Sequence, residues 1–481
     1  MISCCEKRTW LKQVDSRKCA ARFFTLLMMC GFSSAVNAGS WLVQPAITVT
    51  EMSTDNVDLT SVQKTRDRIT EIAPSISLAR QGDKVRLNID YDVQGVYYDK
   101  SDEHDSTFSQ VNAVLDSELI DELFYTEFLV TRDQQIVSPQ GPTVSNNFII
   151  TNNLTDSTAW QVSPYFRHRL SSEIAGELRY RFNKIDYSDG AIDDSKSDEI
   201  IVDIGSLGSS RGDEWQLLYQ HNKIKYNSGL ENVFSMFSLE VVEYLIPRFG
   251  LLARLGYEDN EYDVLPGQEA PKGSVWEVGF RWAPTTRRNL ELRSGERYFG
   301  KTYSLNMTGS ERLLNWSVAY SELPMSTVQM QFEQQTRAQG GVTSLRAEDV
   351  SPLNTAVYIR KYFTSMVAVD LNHVTFSLSV FKDHRDYQAE SGNEVSEGAV
   401  MAVELQPYSR TSVIVEHNWH KQNFGVELRE DKVNDSEIAL AYMISPRVTG
   451  EISVGRVKRD STNNAYEYSS NMVAASLEYL F

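Results

Sequence analysis

The chain ends inside a strand. Its final segment, Met472-Val473-Ala474-Ala475-Ser476-Leu477-Glu478-Tyr479-Leu480-Phe481, alternates in polarity and stops on an aromatic carboxylate. Val473, Ala475, Leu477, Tyr479 and Phe481 share one strand face; Met472, Ala474, Ser476, Glu478 and Leu480 share the other. The ends of water-soluble domains usually fray. An apolar terminal strand is expected where the last strand pairs with the first and closes a ring. Leu477, Tyr479 and Phe481 also fit the C-terminal signal read by the outer-membrane assembly machinery: a terminal aromatic, an aromatic two residues earlier and a large apolar residue two before that.

The other end fits the same expectation. Lys7, Arg8, Lys12, Arg17, Lys18 and Arg22 face only Glu6 and Asp15, and the apolar run Phe23–Phe32 follows. Ser33-Ser34-Ala35-Val36-Asn37-Ala38 then gives a small-x-small exit. This reads as a secretory signal peptide over 1–38, cleaved after Ala38. The apolar run is well short of the ~20 residues of a spanning helix. All four cysteines, Cys4, Cys5, Cys19 and Cys30, precede that cut. No disulfide, thiolate metal site or cysteine nucleophile is therefore expected after residue 38.

The full chain carries −18, and residues 39–481 carry 41 Lys+Arg against 63 Asp+Glu, or −22. This balance argues against nucleic-acid binding. It suits acidic loops and a polar lumen.

No stretch after residue 38 is apolar enough for a membrane helix. Segments alternate with period two instead. In Val85–Val93, Val85, Leu87, Ile89, Tyr91 and Val93 oppose Arg86, Asn88, Asp90 and Asp92. In Ile174–Asn183, Ile174, Leu178, Tyr180 and Phe182 oppose Glu177, Arg179, Arg181 and Asn183. Trp276, Val278, Phe280 and Trp282 oppose Glu277 and Arg281, and Phe249–Tyr257 places Arg254 on a polar face. Most segments match the ~9–11 residues of a tilted membrane strand.

Short links alternate with longer polar ones. The short links include residues 170–173, 209–213, 247–248, 284–288, 323–324, 371–373, 407–410 and 446–447. The longer ones include 188–197, 259–273, 338–355 and 388–396. The pattern predicts an all-β fold: a transmembrane, antiparallel up-and-down β-barrel of the outer-membrane type over residues 39–481. About 22 strands are expected, within a range of 18–22, with short periplasmic turns and longer extracellular loops. A ring that wide needs a filled lumen unless it is an open pore. Loops 134–157 and 338–355 are candidates to fold inward.

Lumen-facing candidates are Arg86, Asp90, Asp92, Glu177, Arg179, Arg181, Arg254, Glu277 and Arg281. On the lipid face an arginine at mid-bilayer would cost roughly 2–4 kcal/mol. Rows of mixed charge can orient hydrated polar solutes. No catalytic, cofactor or metal motif stands out. His417 and His420 are three apart, so on a strand they point to opposite faces. Ser412 or Ser436 near His417 lacks a hydrolase motif, and the acidic loops lack calcium-loop spacing.

The order Trp41-Leu42-Val43-Gln44-Pro45, Thr54-Asp55-Asn56-Val57, Ile69–Leu78 and Asp90-Tyr91 carries a family resemblance. So do Phe381-Lys382-Asp383-His384-Arg385-Asp386-Tyr387 and the terminal Leu477–Phe481. Together they resemble an uncharacterised outer-membrane family associated with PEP-CTERM/exosortase and exopolysaccharide gene clusters, over essentially all of residues 40–481. The resemblance implies a Gram-negative outer-membrane barrel serving surface polymers, without assigned catalytic residues. The expected role is a porin-like conduit or accessory channel for exopolysaccharide secretion. The alternatives are a non-conducting barrel that retains surface polymer and, more distantly, an outer-membrane hydrolase. Expected partners are outer-membrane lipid and lipopolysaccharide, the assembly machinery, exopolysaccharide and periplasmic export components.

Overall fold

The computed structural model describes residues 41–481 apart from 144–145, 208–212, 269, 338–351, 390–391 and 426–427. Ala38 and the signal-peptide segment lie outside the described residues. The first strands are β1 (Trp41–Thr54), β2 (Asp67–Gln81), β3 (Val85–Tyr98), β4 (Ser106–Ile120), β5 (Phe124–Ile136), β6 (Leu154–Arg169) and β7 (Ile174–Tyr187). Next come β8 (Ser195–Ser206), β9 (Glu214–Tyr226), β10 (Glu231–Ile246), β11 (Phe249–Asp259), β12 (Lys272–Thr285), β13 (Arg288–Arg297), β14 (Gly300–Ser310) and β15 (Leu314–Ser326). Helix α1 (Thr327–Arg337) precedes β16 (Val357–Leu371), β17 (Val374–Tyr387), β18 (Asn393–Tyr408), β19 (Thr411–Phe424), β20 (Arg429–Ser445), β21 (Val448–Ser461) and β22 (Tyr468–Leu480).

These strands form one 22-stranded antiparallel sheet in which neighbours in sequence pair. The ring closes where β22 meets β1, from Leu480 opposite Ala46 to Met472 opposite Thr54. Closure leaves neither the first nor the last strand as an open edge, a condition for residing in hydrocarbon. Phe481 N–H reaches Pro45 O at 3.1 Å, and its ring meets Tyr479 edge-on at 4.9 Å. The terminal alternation is thus a paired strand, with Leu477 opposite Val49 and Tyr479 opposite Ile47.

Alternation sorts the wall into two faces. Leu251, Leu255, Trp276, Val278, Trp282 and Leu292 are all exposed on the outward face. Their neighbours Arg254, Glu277 and Arg293 point inward. Strands run from 10 residues in β13 to 17 in β20, and most are longer than the crossing segments expected from the sequence. Their ends overshoot the apolar band and carry outward Lys, Asp and Glu.

One end of the barrel holds Trp41, Leu480 and the short links, among them 82–84, 121–123, 372–373 and 446–447. The opposite end holds 55–66, the described parts of 137–153 and 260–271, and 327–337 with 352–356. One expected turn is corrected. Leu323-Pro324 lies within β15, where Pro324 faces Ile359 of β16. The β14–β15 ladder runs only from Leu305/Tyr320 to Ser310/Asn315, so beyond Tyr320 β15 is paired with β16 alone. A proline lacking a donor is tolerated on such an edge-like stretch. The real turn is 311–313, closed by Glu311 N–H to Leu314 O at 2.7 Å, and it contains neither Pro nor Gly.

Candidate functional site

The lumen divides into a charged belt and a layer of inserted loops. In the belt, Arg254 lies opposite both Glu240 and Glu277. It meets Glu240 at 2.7 Å and Glu277 at 3.1 Å. Arg293 joins Glu240 at 2.6 Å and Glu291 at 2.5 Å. Arg281 joins Glu291 at 2.8 Å and Glu214 at 2.7 Å. Room for these side chains comes from Gly279 and Gly295, opposite Arg293 and Glu277. A Cβ at either glycine would collide with the neighbouring backbone carbonyl, of Leu292 or Trp276.

A second group forms on β5–β7. Arg179 meets Glu127 at 2.6 Å and Glu177 at 2.7 Å, and stacks 3.9 Å from the Tyr165 ring. Glu177 also meets Arg167 at 2.7 Å. Arg181 pairs with Glu199. Between the two groups lies a cavity of about 430 Å³, lined by Arg167, Glu177, Asp203, Glu214, Glu240 and Arg281 among others.

The sequence candidates therefore separate. Arg254, Glu277 and Arg281 enter one network, Glu177 and Arg179 another, and Arg181 has its own partner. Arg86 stands apart, largely exposed, 3.7 Å from Asp116. Asp90 accepts from Ser77 at 2.6 Å and Asn88 at 2.9 Å, and Asp92 lies opposite Ser75 and Gln110. Reading the sequence missed Glu240, Glu291 and Arg293. Phe237, Leu239 and Val241 alternate with Ser238, Glu240 and Val242, so the same period-two rule would have found Glu240.

The opposite wall is acidic. Inward Glu71, Glu416, Asp435, Glu437 and Glu451 border a cavity of about 330 Å³ beneath Asn146 and Phe148, and no Lys or Arg is among its described lining residues.

At the long-link end, loops fill the ring. Residues 137–153 leave β5 and reach the inward faces of β1–β3 and β20–β22. Phe148 and Ile150 pack against Met52, Val57, Ile69, Val96 and Tyr98. Ile149 packs with Leu59, Val433, Val457 and Tyr468. Backbone carbonyls of Pro139, Gln140 and Gly141 accept from the buried Arg459, and Gln140 O also accepts from Arg429 at 2.9 Å. Both arginines bond Asp431. Asn153 pins the loop by donating to Ser138 O at 2.7 Å and Pro142 O at 2.9 Å. This is the inward folding expected of 134–157.

A second insertion begins at Ser326, whose hydroxyl caps α1. Gln329 N–H donates to it at 3.3 Å, and Gln329 Oε1 accepts from Ser326 N–H at 2.9 Å. This reciprocal Ser-x-x-Gln cap starts the helix. Val328 and Phe332, four apart on one helix face, pack with Ile185, Ile224, Tyr226 and Phe234 across the ring. The two insertions meet at Leu353 N–H to Val137 O, 2.9 Å. Residues 338–351 of the second expected plug lie outside the described residues. The 260–271 link joins this layer: Leu265 N–H reaches Gln388 O at 2.8 Å, and Tyr262 bonds Tyr298 at 2.5 Å. Burial pushes the Tyr262 phenol up to about 12.

The histidines remain dispersed. His417 bonds Ser436 at 2.8 Å, and His221 bonds Ser235 at the same distance, both on the outward face. No group of three or more His, Cys, Asp or Glu suited to a metal occurs among the described residues.

No protein-family model and no curated protein sequence matches the chain. Among solved structures, the siderophore receptor PirA from Acinetobacter baumannii matches with a TM-score of 0.51 at 8% identity, over 93% of this chain and 81% of that one. The FrpB iron transporter from Neisseria meningitidis matches with a TM-score of 0.49 at 9% identity, over 91% and 82%. OccK1 (OpdK) from Pseudomonas aeruginosa gives 0.37 at 8% identity, over 91% and 99%. At 8% identity the likeness to PirA is one of fold: a closed barrel of the outer-membrane type.

Proposed function

We propose that the chain is an outer-membrane channel whose flux is limited by loops folded into its own lumen. The observation that carries this reading is the charged belt. Arg254, Arg281 and Arg293 interleave with Glu214, Glu240, Glu277 and Glu291 around space that the loop layer does not fill. A barrel that only anchored itself would gain as much from an apolar core, because buried ion pairs are weak contributors to stability. The mixed Arg/Glu wall of β5–β13 faces the acidic wall of β19–β2, a transverse field suited to hydrated polar solutes. By the convention that short links are periplasmic, the loop layer sits at the extracellular end.

The family resemblance adds the finer proposal: a conduit or accessory channel for exopolysaccharide leaving the cell. The inserted 137–153 and α1 segments favour a second reading, a non-conducting barrel that retains surface polymer. Planar-bilayer recording of protein produced from the full chain, with and without exopolysaccharide, separates them. Resolved steps that the polymer blocks are expected; a folded, heat-modifiable but silent barrel would favour retention.

Replacing Arg179 and Arg181 together by Gln strips partners from Glu127, Glu177 and Glu199. A several-fold rise in the cation-over-anion permeability ratio is expected. Unchanged reversal potentials would place both residues outside the conduction path.

Leu477, Tyr479 and Phe481 are proposed as the assembly signal. Deleting Phe481 removes one backbone bond to Pro45 and one ring contact. Folding into detergent should survive, whereas insertion into outer membranes in cells should drop several-fold. Equal loss in both settings would make the residue merely structural.

A further inference from the structure

The outward face carries a row of lysines that the protein itself compensates only at its two ends. Register places Lys184 of β7 directly opposite Lys196 of β8, and Lys196 directly opposite Lys225 of β9. Like charges directly opposite one another in a sheet repel and destabilise it. Elsewhere near the long-link end, outward lysines have carboxylates: Lys382 with Glu397 at 3.4 Å, Lys421 with Glu430 at 2.8 Å, and Lys458 with Asp460 at 2.7 Å.

Local acids relieve only its ends: Glu231 lies directly opposite Lys225, and among the described residues Lys196 alone of the three has no carboxylate bonded or directly opposite. Asp186 bonds Lys184 at 2.6 Å, Glu231 bonds Lys223 at 2.6 Å, and Asp198 accepts from Tyr180 at 2.5 Å. Lys196 and Lys225 are exposed and form no salt bridge with a described residue. In a chain of net charge −18 three lysines in direct register are unusual. Its inward-facing neighbours Ile185, Ile224 and Tyr226 are buried against α1, so the backbone that presents it is firmly held.

Depth identifies the ligand. Trp160 lies opposite Lys184, and Phe182 stands one outward step below it. Asp198 and Lys223 share the row of Phe182; beneath come Tyr180 and Ile200 with His221, then the apolar or aromatic Leu178, Val202, Tyr219 and Phe237. At its β7 end the row thus lies just above the aromatic edge of the lipid-facing band, at the level of headgroups in the outer leaflet. The row spans three strands, about 10 Å. We propose that Lys184, Lys196 and Lys225 bind the phosphates of a phosphorylated glycolipid in the outer leaflet, whose acyl chains run down the Phe182–Tyr180 surface. This rests on the outer-membrane reading, but not on conduction.

Native mass spectrometry of the full-length-derived protein in detergent tests the site, using bisphosphorylated lipid A as probe. Dephosphorylated lipid A and phosphatidylglycerol are the controls. Selective retention of bisphosphorylated lipid A is expected. Joint Lys196→Gln and Lys225→Gln should weaken it roughly tenfold or more, as expected for losing two charge-assisted contacts. Lys382→Gln with Lys421→Gln should not, and arginine at 196 and 225 should preserve it. Equal binding of phosphatidylglycerol, or full retention by the double Gln variant, overturns the site. A folded conducting barrel that ignores lipid A rejects the site and leaves the channel reading standing; a silent barrel that binds it does the reverse.

Discussion

Replacing residues 139–152 by a short Gly-Ser link raises single-channel conductance several-fold. Ile136 and Leu154 already face each other at the end of the β5–β6 ladder, so a short turn can join them without moving either strand. The deletion removes Phe148, Ile149 and Ile150 from the upper lumen and frees Arg459 from the carbonyls of 139–141. A ring of this strand number is wide enough to need an internal obstruction, and this segment blocks the side bounded by β1–β3 and β20–β22. Arg459→Met should give a smaller increase, because it keeps the loop's apolar anchor and loses only the charged latch. The measurement is conductance in planar bilayers, with heat modifiability as the check on folding. A folded deletion variant with unchanged conductance would show that 137–153 does not limit flux.

How far the fold was legible follows from the same geometry. Where the wall meets lipid, every second residue must be apolar, so the segments around Ile89, Tyr180 and Trp276 announce both strand and face. Charged residues on the other face, such as Arg254 and Glu277, are forced inward by the same rule. Alternation fails where the lumen is packed. Val96 and Tyr98, and Val433 and Val457, sit on the inward face yet are apolar, because loops cover them. One strand alone cannot show that covering, since Phe148 and Ile149 arrive from far along the chain. Register is equally hidden. Asp383 and Arg385 stood in the sequence as resemblance residues, and only the pairing of β16 with β17 brings Arg360 to them. Leu323-Pro324 misled because proline marks turns in general, and its tolerance here depends on a missing neighbour strand.

Asp383→Asn should strongly destabilise the upper wall. Asp383 is buried between Arg360 and Arg385, with Nη2 of each at 3.0 Å from its carboxylate. Arg360 also lies 4.1 Å over the Tyr362 ring, and Arg385 stands 5.6 Å from that of Tyr358. Above them Met330 of α1 contacts the Tyr358 hydroxyl at 3.4 Å. The amide keeps the shape but removes the charge that both guanidiniums share. Taking one partner from a buried ion pair costs about 3–5 kcal/mol, since the remaining charge stays desolvated. Repulsion between the two arginines adds to this rather than relieving it. Because the triad underlies α1, the loss should reach the loop layer first. Protease cleavage within 327–356 is expected to accelerate before the strands melt, and the urea midpoint of barrel unfolding should then fall. Asp460→Asn, at an exposed outward position paired with Lys458, should change neither measurement appreciably. Equal behaviour of the Asp383 and Asp460 variants would mean that solvent reaches the triad, and that the upper wall is held by apolar packing alone.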